Sequence, residues 1–587
     1  MADERPLIYG PYGGKSKRDF YETMFGALKS ERSSFDQHWQ ELSDWIMPQR
    51  VQFFTADRNR GDKKRSNIID STASFSARTL QSGLHAGLTS PARPWFKLGT
   101  PDPDLQDFGP VKEWLHVVTQ RMQTVFSQTN LYNTLPIVYG DLGVFGTAAM
   151  GVVPDDRDLF RTQAFPVGSY VLAMDQRGRV SVFMREYQRT VRQIVEQFGG
   201  PGGQPAEIGQ AIDWSRISSH VKSLWEQGSY EVAIDLVWVV APNPEANTQR
   251  LGSKWFPFTS CYFERACAET QDRKLLRESG FKTFPIMAPR WDLVGEDSYG
   301  RDCPGMIALG DVKQLQIMQR KKNQAIAKIV DPPLVGPVAL RTQKTSLLPG
   351  DITYVDQREG MSGLRSIHEI GLNLEHLVGA EGQTQYRIQR AFYEDLFLML
   401  AQSDQRGGVQ PITAREVEER HEEKLLALGP VLERTNDELL DPLIDRAYDM
   451  MEREGLIPEP PDELNGVTLK VEYISIMAQA QKLVGVVGQD RFMQTILPMM
   501  EAFPETRNKV RINQIVDNYA EMLGIDPRAI VPTEEADQAT AQQAKQQAAA
   551  QSAATAVDAA KAAKTAQEIP IGQGDTVLDR VLSGVGA

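Results

Sequence analysis

The residues that could do chemistry are few and scattered. Gly10-Pro-Tyr-Gly-Gly-Lys15-Ser16 comes nearest to a phosphate-binding loop, but it is one residue short of the G-x-x-x-x-G-K-[ST] spacing. No buried strand precedes it, so its amides are not placed to cradle phosphates. Seven histidines, at 38, 85, 116, 220, 368, 376 and 421, form no H-E-x-x-H zinc helix, and no G-x-S-x-G elbow occurs. His421-Glu422-Glu423 reads as a solvated charged helix. Cys261, Cys267 and Cys303 match neither a disulfide framework nor a zinc spacing. Carboxylates such as Glu416, Glu418 and Glu419 could attract a divalent ion, although a wet helix face accounts for them as well. The reading is of a chain that is not an enzyme and takes no metal and no cofactor.

Composition points the same way. The 587 residues are 41% hydrophobic and 24% charged, with mean hydropathy -0.37, enough apolar material for several buried cores. Sixty-four Lys and Arg against 77 Asp and Glu give a net charge of -13. A basic nucleic-acid binder is disfavoured, because phosphate binding needs concentrated positive charge. A channel that passes DNA without gripping it stays open. The start, MADERPLIYG, has no signal-peptide core and no run of 18 apolar residues occurs, so a soluble cytoplasmic protein with no membrane segment is expected.

The positioning elements follow from periodicity. Phe20, Met24, Leu28, Phe35, Trp39, Leu42 and Ile46 form one stripe of a helix over 17–47, ended by Pro48. Arg58, Arg60, Lys63, Lys64 and Arg65 follow in a polar stretch, either a solvated loop or a contact with an anionic surface. Small residues over 70–88 suit a closely packed helix, Trp95–Leu98 a strand, and Pro110 the first turn of another helix. From 145 to about 290 the pattern turns to strands at 180–187, 230–240, 253–263 and 281–291, with a short helix at 191–198. This region reads as α/β or α+β, with a sheet of mixed strand direction.

Asp311 is a candidate cap for a helix ending at Val330, stopped by Asp331-Pro332-Pro333. Val312, Leu315, Ile326 and Ile329 face one way, and Lys313, Arg320 and Lys328 another. That basic side is either solvated or meets phosphates or acidic neighbours. A strand-containing excursion leads to a second helix at about 380–400, with Tyr386, Phe392 and Phe397 as packing positions. AQSDQRGG (401–408) then reads as an exposed loop. Helix, small module, helix and loop suit a projecting stalk buried against copies of itself.

Thr413 and Glu416 make a capping box for a helix that meets Gly429-Pro430 and continues to about Gly455. More amphipathic helix is expected over 470–524. Residues 539–567 hold 14 Ala and 6 Gln. Such a helix buries too little to fold alone, leaving either disorder or a tube of repeated copies.

Tyr299-Gly300-Arg301, Gly310-Asp311-Val312-Lys313-Gln314-Leu315, Pro332-Pro333, Thr413-Ala-Arg-Glu-Val417 and Leu428-Gly-Pro-Val431 followed by Leu443 resemble, in order and spacing over 17–525, the head-to-tail connector (portal) family of short-tailed, podovirus-type double-stranded DNA phages. The resemblance implies an α+β, mainly helical multidomain subunit that assembles into a dodecameric ring. Its parts would be a wing (1–308), stem helix (309–330), clip (331–379), second stem helix (380–400), tunnel loop (401–411), wing helices (412–470), crown (471–535) and Ala/Gln-rich tail (536–587). Channel-facing candidates are Lys313, Arg320, Lys328, Gln402, Gln405, Arg406 and Gln410. Stem packing between subunits would use Val312, Leu315, Ile326, Ile329, Tyr386, Phe392 and Phe397. Implied partners are further copies, double-stranded DNA without sequence specificity, the terminase large subunit, tail adaptor or head-closure proteins, and major capsid and scaffolding proteins. The place would be one capsid vertex of the virion, after assembly in the host cytoplasm. A different neck or tail adaptor is the alternative, although it has no need of the stem, clip and stem order.

Overall fold

The computed structural model describes residues 12–53; 67–330 apart from 103–104, 107, 208, 266 and 268–271; 334–335, 365–366 and 374–403; 428–474 apart from 465; and scattered positions between 542 and 564. The basic stretch 58–65, the capping box at 413–416 and almost all of the expected crown lie outside the described residues. The chain divides into two compact units. The first comprises Met1–Phe96, Thr119–Ile457 and Ser475–Val484, and the second Lys97–Val118, Pro458–Ile474 and Gly485–Ala587.

In the first unit, α1 (Lys17–Trp45) starts where the Ser16 hydroxyl accepts the Asp19 amide at 3.1 Å. Gly13 and Gly14 turn the chain with positive φ just before it. The glycine-lysine-serine run thus caps a helix. Next along the chain come α2 (Thr72–Leu88), then β1 (Phe96–Gly99) and α3 (Gly109–Gln128), which are shared between the two units, and the largely buried α4 (Leu131–Phe145), which ends at left-handed Gly146.

Two sheets follow. β2 (Met150–Asp155) pairs antiparallel with β3 (Leu159–Ala164). The larger sheet runs β4 (Tyr170–Met174), β5 (Val180–Thr190), β6 (Ala233–Pro242), β7 (Phe258–Glu264), β8 (Arg277–Phe281), and each neighbouring pair is antiparallel. The expected mixture of directions is therefore corrected to an antiparallel meander. Between β5 and β6 come α5 (Val191–Phe198), with its Thr190–Gln193 capping box, and α6 (Ser219–Glu226). β9 (Ile286–Met287) joins β2, so the expected strand at 281–291 is two short ones. One face of the large sheet packs Val182, Met184, Val237, Val239, Cys261 and Phe263 against Tyr21 and Phe25 of α1.

α7 (Pro304–Val330) is 27 residues, about 40 Å at 1.5 Å per residue. It starts seven residues before Asp311, which lies inside it, because Pro304 is suited to a first turn. β10 (Leu334–Val335) and β11 (Arg365–Ser366) pair antiparallel. The second long helix is broken into α8 (Leu374–Ala391) and α9 (Glu394–Ser403), with Tyr393 at φ 55° between them. Helical residues then run from 428 through a π-helical turn at Asn436–Leu440 into α10 (Asp441–Arg453).

In the second unit β12 (Lys470–Tyr473) pairs with β1, and Lys97 and Glu472 form an ion pair at 3.0 Å. Residues 470–473 are thus strand and not the expected helix. The described positions between 542 and 564 are helical and exposed.

Candidate functional site

α7 leaves the core through a crossing of backbone on backbone. Gly300 and Gly305 lie so close to Gly146 and Val144 that a Cβ on either would overlap a main-chain oxygen. Thr147 Oγ1 accepts the Gly300 amide at 2.7 Å, and the Cys303 thiol donates to Val144 O at 3.2 Å. Burial pushes the Cys303 thiol up to about 12, so it stays protonated in this packed root. Cys261 and Cys267 are each pushed to about 11 by burial, which suits packing and not nucleophilic chemistry.

The first half of α7 belongs to the core. Val312 and Leu315 are fully buried, and Gln316 accepts the amides of Ile69 and Asp70 at 2.7 and 2.9 Å while donating to Asp70 O at 2.8 Å. Those bonds fix the chain just before α2. Lys313 reaches Glu41 of α1 at 2.7 Å, and this hydrogen bond holds the Glu41 carboxyl below its ordinary range.

α8 is fastened to α7 by charge. Lys322 pairs with the buried Glu381 at 2.6 Å, and Arg387 with Asp311 at 3.0 Å. Gln385 donates to Asp70 at 2.9 Å, so the same aspartate ties α8 toward α2. The break at 392–393 turns Phe392 and Phe397 inward, and Ser76 of α2 donates to Glu394 at 2.6 Å. Gly83 of α2 leaves room for the Phe397 ring.

These placements sort the sequence-derived residues. Val312, Leu315, Phe392 and Phe397 are buried within their own chain. Ile326 and Tyr386 are exposed, as are Ile317, Val330 and Val378. The Ile329 and Gln402 side chains lie outside the described set, as do Gln405, Arg406 and Gln410. Lys313, seven residues before Arg320, lies on the same side of α7, but its charge is matched by Glu41. Arg320 and Lys328 are exposed and have no ion-pair partner among the described residues. Sequence reasoning missed Glu41, Asp70 and Glu381, which are distant in the chain and carry no local signal.

The side of α7 that carries Arg320 and Lys328 is therefore exposed and positively charged. Among the described residues, no group of three or more His, Cys, Asp or Glu converges as a metal site, and no helix is long and apolar enough to cross a membrane.

Comparison with known proteins gives the family. A portal protein of Salmonella phage epsilon15 is 46% identical over 541 residues, covering 92% of this chain and 94% of its own. A probable portal protein of Bordetella phage BPP-1 is 40% identical over 538 residues, covering 90% and 93%. The family model for bacteriophage head to tail connecting proteins matches residues 18–531. The chain belongs to the bacteriophage head to tail connecting protein family.

Proposed function

We propose that the chain is the portal subunit of a phage capsid, forming a dodecameric ring at one vertex through which double-stranded DNA is packaged and ejected. In this reading residues 1–308 and 412–470 are the wing, 309–330 and 380–400 the two stem helices, 331–379 the clip, 401–411 the tunnel loop, 471–535 the crown and 536–587 the tail. The clip meets the terminase large subunit and later the tail adaptors, while the wing meets capsid and scaffolding proteins. ATP hydrolysis belongs to the terminase.

The observation that carries the reading is family membership over residues 18–531 in a chain whose α7 presents Arg320 and Lys328 outward. A few unpaired cations touch passing phosphates weakly, whereas a continuous basic wall would add affinity and friction. The exposed Ile317, Ile326, Val330, Val378 and Tyr386 supply apolar area for contact between copies around a closed ring.

Shortening residues 401–411 tests the assignment. Rings should still form in electron micrographs, while phage carrying the variant should retain or translocate less DNA. Packaging and retention equal to the unaltered protein would remove the tunnel-loop role, and a chain that stays monomeric under assembly conditions would remove the ring.

A further inference from the structure

After α1 the chain crosses α4 as a short strap, residues 47–53, and the middle of the strap sits over a gap in that helix. A Cβ on Gly140 would come within 2.6 Å of Gln81 Oε1 and 2.9 Å of Arg50 Nη2, so the glycine leaves the room that these two side chains fill. Arg50 donates to Gln81 at 3.3 Å, and its Nε stands 3.6 Å from Oδ1 of Asp141, the next residue of α4. Asp141 is 3% exposed, whereas the Arg50 side chain is a quarter exposed. The guanidinium thus reaches from solvent to a carboxyl enclosed by the core. Beyond it the Gln52 amide donates to Val167 O at 3.0 Å. A short segment tied by few hydrogen bonds opens at lower cost than the helices beneath it.

Asp141 Oδ1 has no hydrogen-bond partner, and burial raises the carboxyl to about 7 while Arg50 opposes only in part. Among the described residues Arg50 is the one charge that acts on it, and β3 and α7 bring none. From α2 come the neutral Gln81 and, four residues on, His85, which burial lowers. From β4 comes the Tyr170 hydroxyl, with Tyr299 and Arg32 of α1 beyond it, and burial keeps both phenols protonated. A buried carboxylate that lacks hydrogen bonds is stabilised most by water. Displacing the strap admits water while leaving α1, α2 and α4 packed. In the open form the carboxyl returns toward its ordinary range, so ionisation and opening favour each other.

We propose that the strap is a charge-operated latch: neutral Asp141 keeps residues 47–53 seated on α4, and its ionisation releases them as water enters. The device does not depend on ring assembly.

The test is hydrogen exchange of the full chain from about pH 5 to pH 8, with labelling times scaled to the intrinsic exchange rate. Protection of the Arg50–Gln52 amides should fall by up to about tenfold per pH unit, then level off once the closed form is itself ionised. Peptides within 135–145 of α4 should stay unexchanged over times that label the strap. In Asp141→Asn the strap's protection should not vary with pH. Arg50→Gln alters a partly exposed side chain, keeps the acid and removes the cation that holds its value down, so the fall should extend to higher pH. Protection independent of pH in the unaltered chain, the same fall in Asp141→Asn, or an unmoved fall in Arg50→Gln overturns the latch. Exchange of the α4 peptides in step with the strap assigns the opening to the whole fold and overturns it too.

Discussion

Arg290 and Glu438, 148 residues apart, close a buried fork. The Arg290 amide donates to Glu438 at 2.9 Å, its Nε at 3.1 Å and its Nη2 at 2.6 Å. The same guanidinium donates to Gly178 O at 2.7 Å, and Arg290 is only 1% exposed. Glu438 stands in the π-helical turn, whose wider winding offsets that residue from the register of α10. Further along α10, Arg446 donates to Val152 O and to Thr283. Two arginines therefore pin the helix after the proposed tunnel loop onto the sheets, from which the root of α7 also departs.

Glu438→Ala leaves Arg290 charged and buried with no counter-charge. Such a cut destabilises by about 3–5 kcal/mol. Urea unfolding followed by intrinsic fluorescence should show that loss. A change below about 1 kcal/mol, the scale of a surface pair, would mean that the fork is not closed in solution.

Gly83→Ala drives a methyl into the Phe397 ring and should cost about 1–3 kcal/mol by overpacking. Phe397→Ala should cost more alone by opening a cavity. The double variant should be less destabilised than the sum of the two, since the small residue then has space. Strict additivity in thermal melts would separate α9 from α2.

Asp141 should lower stability as pH rises toward neutrality. Asp141 on α4 is buried, its Oδ1 lacks a hydrogen-bond partner, and its nearest cation is Arg50 at 3.6 Å. Burial lifts its carboxyl from 3.8 to about 7, with Arg50 opposing only in part. Below the ordinary value both folded and unfolded chains are protonated, and the contribution is fully present. Between the two values the unfolded chain gives up its proton first, so up to about 4 kcal/mol is lost by the upper value. Asp141→Asn should flatten this slope in urea midpoints measured from about pH 5 to pH 8, and be the more stable chain at the upper end. An unchanged slope would assign the dependence elsewhere.

Local chemistry made much of this fold legible. The stripe from Phe20 to Ile46 gave α1, and the short run 191–198 gave α5 with the bounds observed. Pro304 was also a visible first-turn signal, but Asp311, a better cap by residue type, drew the predicted start too far along. The break at Phe392–Tyr393 carries no glycine or proline, because long-range packing of Phe392 and Phe397 forces a tyrosine into left-handed geometry. The basic side of α7 was legible as a pattern. That Lys313 is matched by Glu41, 272 residues away, while Arg320 is unmatched among the described residues, depends on tertiary placement that no local signal encodes.

The most direct test is a cryo-electron microscopy structure of the assembled particle, read for the position of residues 304–330. The account requires a closed ring in which this helix from every subunit surrounds an axial hole and Arg320 and Lys328 are turned toward the opening or its rim. A ring whose hole is lined by other segments, with those two residues on the outer circumference, would contradict it.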